Sequence, residues 1–152
     1  MFALNNVLGS GKFSPADMER ACDWVVQESN YPDAENHLAQ PEPRSMHANL
    51  DGSGWYSERV LASVLQAETR YRWHMTPLHV YPEIITLPYT AGGVVNQDNA
   101  HWVALKWDAA GERVVLLDST ALGHRFLSWL DYVAYVKRYK NNYAVVDWDA
   151  ID

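Results

Sequence analysis

The chain has 152 residues and a globular composition, with 48% hydrophobic and 20% charged residues, which is enough for one domain with a core. Its net charge of −7 is spread without a basic stripe and argues against nucleic acid or an anionic membrane as a partner. The single cysteine, Cys22, excludes an internal disulfide framework and indicates a reducing compartment. Since no apolar run is long enough to span a membrane and no signal peptide is recognised, we expect one domain over residues 1–152, in the cytoplasm or the nucleus.

The N-terminal part of the chain is predicted to be helical. Apolar residues at helical spacing over 2–8, stopped by the glycine-rich segment 9–11, indicate the end of a first helix, so the chain is expected to begin inside an element. Ser14 then supplies a helix cap and Pro15 a first helical residue. The amphipathic run that follows predicts a second helix to about Glu28.

A connection without regular structure is predicted before the third helix. Residues 29–49 contain several prolines and few apolar residues, so we expect a loop there. From Ser57, apolar residues at three- and four-residue spacing predict a capped helix. Its buried stripe is expected to consist of Val60, Leu61, Val64 and Leu65.

The C-terminal half is predicted to form strands around one helix. Runs of β-branched and aromatic residues indicate the strands, and the two strongest flank a turn at 108–111 as a hairpin. Helices first and strands later predict an α+β fold with a mostly antiparallel sheet. The predicted strands cover residues 70–74, 93–96, 101–107, 112–119 and 143–148. The intervening helix covers 127–139, with apolar positions Leu127, Leu130, Val133 and Val136.

The hairpin carries a candidate catalytic pair. If its turn is centred between Ala109 and Ala110, His101 and Asp118 lie directly opposite each other on one face, with Cβ atoms roughly 4.5–5.5 Å apart. Their side chains are then within hydrogen-bonding reach, and we expect them to face the N-terminal helix. The carboxylate can orient the imidazole and stabilise its protonated form, as in a catalytic triad. A bulge at Gly111 would shift the pairing by one residue, and an incidental polar pair at the strand ends remains the alternative.

Five motifs occur together in an order that is typical of one family. They are Leu4-Asn5-Asn6-Val7-Leu8, Phe13-Ser14-Pro15, the segment from Asn49 to Ser57 (NLDGSGWYS), His101-Trp102 and Leu117-Asp118-Ser119. In this order and spacing they resemble the Josephin domain, a family of papain-like cysteine deubiquitinases. The resemblance covers nearly the whole chain except residues 29–48.

The resemblance implies a fold and a reaction. The fold is a papain-like α+β domain in which N-terminal helices pack on a mostly antiparallel sheet. The reaction is hydrolysis of the bond after ubiquitin's C-terminus by a Cys-His-Asp triad, with His101 as the general base and Asp118 as the residue that orients it. Ubiquitin or ubiquitinated proteins are the expected partners of a monomeric chain, without a cofactor or a metal.

The nucleophile of the family has no counterpart in the sequence. By the resemblance it lies six positions before Asn5, two residues before Met1, and the oxyanion-stabilising glutamine lies further upstream. Either the start was placed at an internal methionine or the lineage lost the cysteine. The 152-residue chain is then expected to be inactive. A catalytically inactive ubiquitin-binding module and a papain-like enzyme with another acyl substrate remain alternatives.

Other residues that attract attention are predicted to be structural. Cys22 lies on an apolar helix face and is expected to be an inert core residue. Trp102 follows His101 and should point to the opposite face of its strand, into the core. Asn5 and Asn6 are expected to satisfy backbone groups near the site. The remaining histidines lack the spacing of metal ligands.

Overall fold

A computed structural model describes residues 2–9, 12–29, 44–48, 56–67, 70–98, 101–118 and 124–151. Across those segments the helices are α1 (Phe2–Leu8), α2 (Pro15–Ser29), α3 (Glu58–Gln66) and α4 (Trp129–Arg138). The strands are β1 (Tyr71–Trp73), β2 (Thr90–Gln97), β3 (His101–Asp108), β4 (Arg113–Leu117), β5 (His124–Leu127) and β6 (Asn142–Asp147). Short 3₁₀ turns occupy Arg44–Met46, Pro82–Thr86 and Trp148–Ala150. No helix in the described segments is long and apolar enough to cross a membrane.

The strands form one antiparallel sheet in the order β1-β6-β2-β3-β4-β5. Helices precede this sheet in the chain, and α4 interrupts it between β5 and β6. The prediction of an α+β fold with a mostly antiparallel sheet is therefore confirmed.

The starts of α2 and α3 are where the sequence places them. Ser14 and Asp17 form a capping box, in which the Asp17 amide donates to Ser14 Oγ at 3.2 Å and the Ser14 amide donates to Asp17 Oδ2 at 2.8 Å. Ser57 caps α3 by accepting from the Val60 amide. After the last residue of α1, Gly9 adopts a φ of +72°, which glycine reaches without steric cost.

The sheet separates two apolar cores. On one face the core joins α1, α2 and α3 to the sheet and includes Leu4, Trp102 and Ala104. On the other face α4 and the Pro82–Thr86 turn pack against Val103 and Leu105. Successive residues of β3 thus alternate between the two cores, as a strand requires.

Gly92 allows α1 to pack closely on the sheet. A Cβ built there would lie 2.7 Å from the carbonyl oxygen of Leu105 and 3.0 Å from Val7 Cγ1. Val7 and Leu4 are 1% and 0% exposed, and burying a side chain of this size stabilises the fold by roughly 1.5–3 kcal/mol. Because Gly92 has no side chain, α1 can lie directly on β2 and β3.

The structure departs from the sequence prediction at α4. The predicted helix over 127–139 begins late, because Leu127 belongs to the unpredicted strand β5 and Ser128 caps the helix by accepting from the Asp131 amide. Leu130, placed on the apolar stripe, is 80% exposed. The buried positions of α4 are Tyr132, Tyr135 and Val136, since the larger aromatic side chains occupy the face towards the sheet.

The predicted loop over 29–49 lies mostly outside the described residues. Of its described parts, Ser29 is the last residue of α2, and Arg44–Met46 forms a 3₁₀ turn.

Candidate active site

The β3–β4 hairpin has a different register from the predicted one. Asp108 pairs with Arg113, so the turn contains four residues and is centred between Ala110 and Gly111. The direct pairing predicted for His101 and Asp118 is therefore wrong.

The side chains at the ends of the turn explain the register. Asp108 Oδ2 accepts from Arg113 Nε at 3.1 Å, and its Oδ1 accepts from the Gly111 amide at 3.3 Å. Glu112 adopts a φ of 49° to close the turn. Asp108 thus becomes the last residue of a strand instead of the first residue of the turn.

His101 and Asp118 nevertheless meet. The imidazole Nε2 lies 3.3 Å from Asp118 Oδ2, so the predicted hydrogen-bonding reach is confirmed. The register displaces the two residues by two positions, which keeps them on one face as diagonal neighbours on adjacent strands, about 7–8 Å apart. The contact is longer than a tight charge-assisted hydrogen bond of about 2.7–2.9 Å. Such long contacts are common in catalytic sites that hold no substrate.

The contact assigns different roles to the two imidazole nitrogens. When Nε2 carries the proton donated to Asp118, Nδ1 is the nitrogen that can accept a proton from a nucleophile. The His101 and Asp118 side chains are 33% and 17% exposed, so the pair is partly shielded from water but still accessible. The arrangement can therefore provide a general base and its orienting carboxylate.

The pair lies on the α4 face of the sheet. By strand alternation, His101 shares its face with Val103 and Leu105, which belong to the α4 core. The described part of α1 covers the other face, so the expectation that the pair faces the N-terminal helix is not met there. Trp102 points to the α1 side, is 8% exposed and donates from Nε1 to the Tyr56 carbonyl at 2.6 Å, which confirms it as a core residue.

Two residues beside the pair were not predicted from the sequence. Gln97, the last residue of β2, is the cross-strand partner of His101. Its Nε2 donates to the hydroxyl of Tyr135 on α4 at 2.6 Å. Burial is the main cause that raises the pKa of Tyr135 to about 12, so this hydroxyl stays protonated at neutral pH. An extension of the predicted strand by one residue beyond Asn96 would have placed Gln97 opposite His101.

Asn5 has the predicted structural role. Its Nδ2 donates to the Phe13 carbonyl at 3.0 Å, and its Oδ1 accepts from the Phe13 amide at 2.9 Å. These two hydrogen bonds hold α1 to the segment that leads into α2. The role of Asn6 stays a prediction.

Cys22 is a core residue, as expected. Its side chain is fully buried among α1, α2 and α3, and burial raises the pKa of the thiol. A buried protonated thiol is a poor nucleophile.

No group of three or more histidine, cysteine, aspartate or glutamate side chains in the described segments could hold a metal ion.

Comparison with known proteins identifies the family. The family model described as Josephin matches residues 1–146, which is nearly the whole chain. No curated protein matches the sequence. The chain therefore belongs to the Josephin domain family, which generally has deubiquitinase activity.

Proposed function

We propose that this domain is the catalytic part of a ubiquitin-specific thiol hydrolase, with His101 as general base and Asp118 as the residue that orients it. The observation that carries the proposal is the 3.3 Å contact between His101 Nε2 and Asp118 Oδ2 in a chain of this family. The carboxylate fixes the imidazole tautomer and stabilises the imidazolium that forms when a thiol is deprotonated.

The position of the nucleophile follows from the resemblance. Cys22, the one cysteine of the sequence, is buried and the pKa of its thiol is raised, so by the resemblance the nucleophile belongs six positions before Asn5. That position precedes Val7 by eight residues, about 12 Å along an α-helix. His101 precedes Leu105 by four residues, about 13 Å along a strand. Val7 and Leu105 both approach Gly92, so a helix that runs in the direction of β3 would carry the thiol to the end of the strand where His101 lies.

The proposed reaction proceeds through a thioester. His101 Nδ1 takes the thiol proton, and the sulfur attacks the carbonyl carbon of ubiquitin's C-terminal residue. The imidazolium then gives that proton to the departing amine as the C–N bond breaks. Water, deprotonated by His101, cleaves the thioester and regenerates the thiol, leaving ubiquitin with a free carboxylate.

A catalytically inactive module that binds ubiquitin is the second candidate. The observation that favours it is the burial of the only thiol in the sequence, together with its raised pKa. In that case the His101 and Asp118 pair remains as part of the fold without a nucleophile to activate.

Hydrolysis of a fluorogenic ubiquitin amide separates the two candidates. The 152-residue chain should show no turnover and should leave a ubiquitin C-terminal electrophile unreacted. A helical extension with cysteine six positions before Asn5, and with the upstream glutamine, should be active, whereas the same extension with serine should not. Labelling of Cys22 by the electrophile contradicts its assignment to the core. A folded cysteine extension that binds ubiquitin but is inert favours the inactive module.

A further inference from the structure

A groove lies between β5 and α4, beside the proposed active site. Its volume is about 630 Å³, and its lining includes Gln97, Arg125, Tyr135 and Arg138. Because Gln97 is the cross-strand partner of His101, the groove opens on the same face of the sheet as the catalytic pair.

The groove is cationic in a chain that is acidic overall. Arg125 and Arg138 both line it, whereas the whole chain carries a net charge of −7. Asp131 also lines the groove and offsets one of the two guanidinium groups. Within the described segments, no carboxylate forms an ion pair with either arginine. Two exposed guanidinium groups are thus available to a carboxylate of a partner.

Tyr135 connects the groove to the catalytic pair. The Gln97 side chain donates to the Tyr135 hydroxyl, which leaves the hydroxyl proton available for another acceptor. Asp118 and Arg125 both act electrostatically on this hydroxyl. Tyr135 lines the groove and is also close enough to Asp118 to feel its charge.

We propose that this groove binds acidic side chains of the substrate protein that flank the ubiquitinated lysine. The inference rests on the proposed function, in which His101 protonates the departing amine, so the polypeptide that carries this amine leaves beside the imidazole. The groove lies on the His101 face, and the nucleophile belongs to α1 on the other face. The positive charge of the groove selects an acidic segment as the occupant.

Peptide binding to the 152-residue chain tests the groove without catalysis. The probes are a fluorescein-labelled peptide with aspartate and glutamate on both sides of a central lysine, and its asparagine and glutamine counterpart. Arg125→Gln with Arg138→Gln removes both groove cations. Lys137→Gln with Lys140→Gln is the matched control, because both lysines are exposed, lie on or next to α4 and do not line the groove.

Fluorescence anisotropy should show that the acidic peptide binds more tightly than the neutral one. The arginine double variant should bind it about tenfold more weakly, while the lysine control stays within roughly twofold. Binding should also weaken as salt is raised. Equal losses in the two double variants, no preference for the acidic peptide, or tighter binding of a short single-stranded oligonucleotide would each overturn the proposal.

An activity measurement distinguishes failure of the groove from failure of the proposed function. In the cysteine extension, the arginine double variant should raise KM about tenfold for ubiquitin linked to the acidic peptide, with kcat retained. KM for ubiquitin linked to the neutral peptide should not change. If no ubiquitin conjugate is cleaved, the proposed function fails, whereas equal KM changes for both conjugates overturn the groove assignment alone.

Discussion

The close packing of α1 on the sheet predicts that Gly92→Ala destabilises the domain. The new Cβ would lie 2.7 Å from the Leu105 carbonyl oxygen, and because that atom belongs to backbone, no rotamer change relieves the contact. The pairing of β2 with β3 must shift, and Val7 at 3.0 Å pushes α1 away from the sheet. Overpacking of this kind costs about 1–3 kcal/mol, partly offset by the roughly 0.5–1 kcal/mol that alanine gains over glycine in a strand. The net loss of about 1–2 kcal/mol should lower Tm by roughly 2–8 °C.

Gly93→Ala is the matched control. The added Cβ would lie 2.6 Å from Leu78 Cδ1, which is the end of a flexible side chain, and its next contact is 3.4 Å away. Leu78 can change its rotamer, so we expect a loss below about 1 kcal/mol. Urea unfolding followed by circular dichroism measures both variants. Equal destabilisation by the two substitutions, or a Gly92→Ala protein as stable as the wild type, would refute the packing argument.

Three further predictions concern catalysis, pH dependence and surface packing. In the cysteine extension, His101→Ala should lower kcat/KM at least about a thousandfold and Asp118→Ala roughly ten- to a hundredfold, since orientation is lost but the base remains; equal losses contradict the assigned roles. The Asp147 carboxylate accepts two hydrogen bonds from Arg70 at 2.9 Å, and these bonds are the main cause that lowers its pKa. Its stabilisation is therefore present above the unfolded pKa of about 3.9 and lost as pH falls through the lower folded value, so the urea midpoint should drop more between pH 7 and pH 3 in the wild type than in Asp147→Asn. Leu130→Ser should change the free energy of unfolding by less than about 0.5 kcal/mol, because the side chain is 80% exposed; a loss above 1 kcal/mol in the same urea assay contradicts that placement.

The features that the sequence predicted best depend on neighbouring residues. A capping box needs only residues three apart, so Ser14 fixed the start of α2, and Ser57 did the same for α3. β5 was missed because it has four residues, of which three are exposed, and so shows no alternating pattern. The stripe of α4 was misjudged because its buried face is built from tyrosines, which periodic aliphatic residues do not reveal.

The neighbours of the catalytic pair could not be predicted by the same means. Gln97 and Tyr135 are separated by 38 positions, and only the packing of α4 on the sheet brings their side chains to 2.6 Å. A glutamine at a strand end and a tyrosine in a helix carry no local signal for such a contact. The groove beside them likewise depends on β5, which the sequence did not show.

The contact between His101 and Asp118 was predicted correctly although the position of the turn was not, and strand geometry explains why. The predicted turn at 108–111 and the observed turn at 109–112 both have four residues, and moving the turn by one residue changes the cross-strand pairing by two positions. Side chains two positions apart on a strand share a face. The wrong turn position changed the predicted backbone distance between His101 and Asp118, but both side chains stayed on the same face of the sheet. A displacement of the pairing by one residue would have turned Asp118 into the α1 core and left His101 without a carboxylate. The prediction of the pair therefore depended on the turn having an even number of residues. In the structure the ion pair of Asp108 with Arg113 closes a turn of four residues.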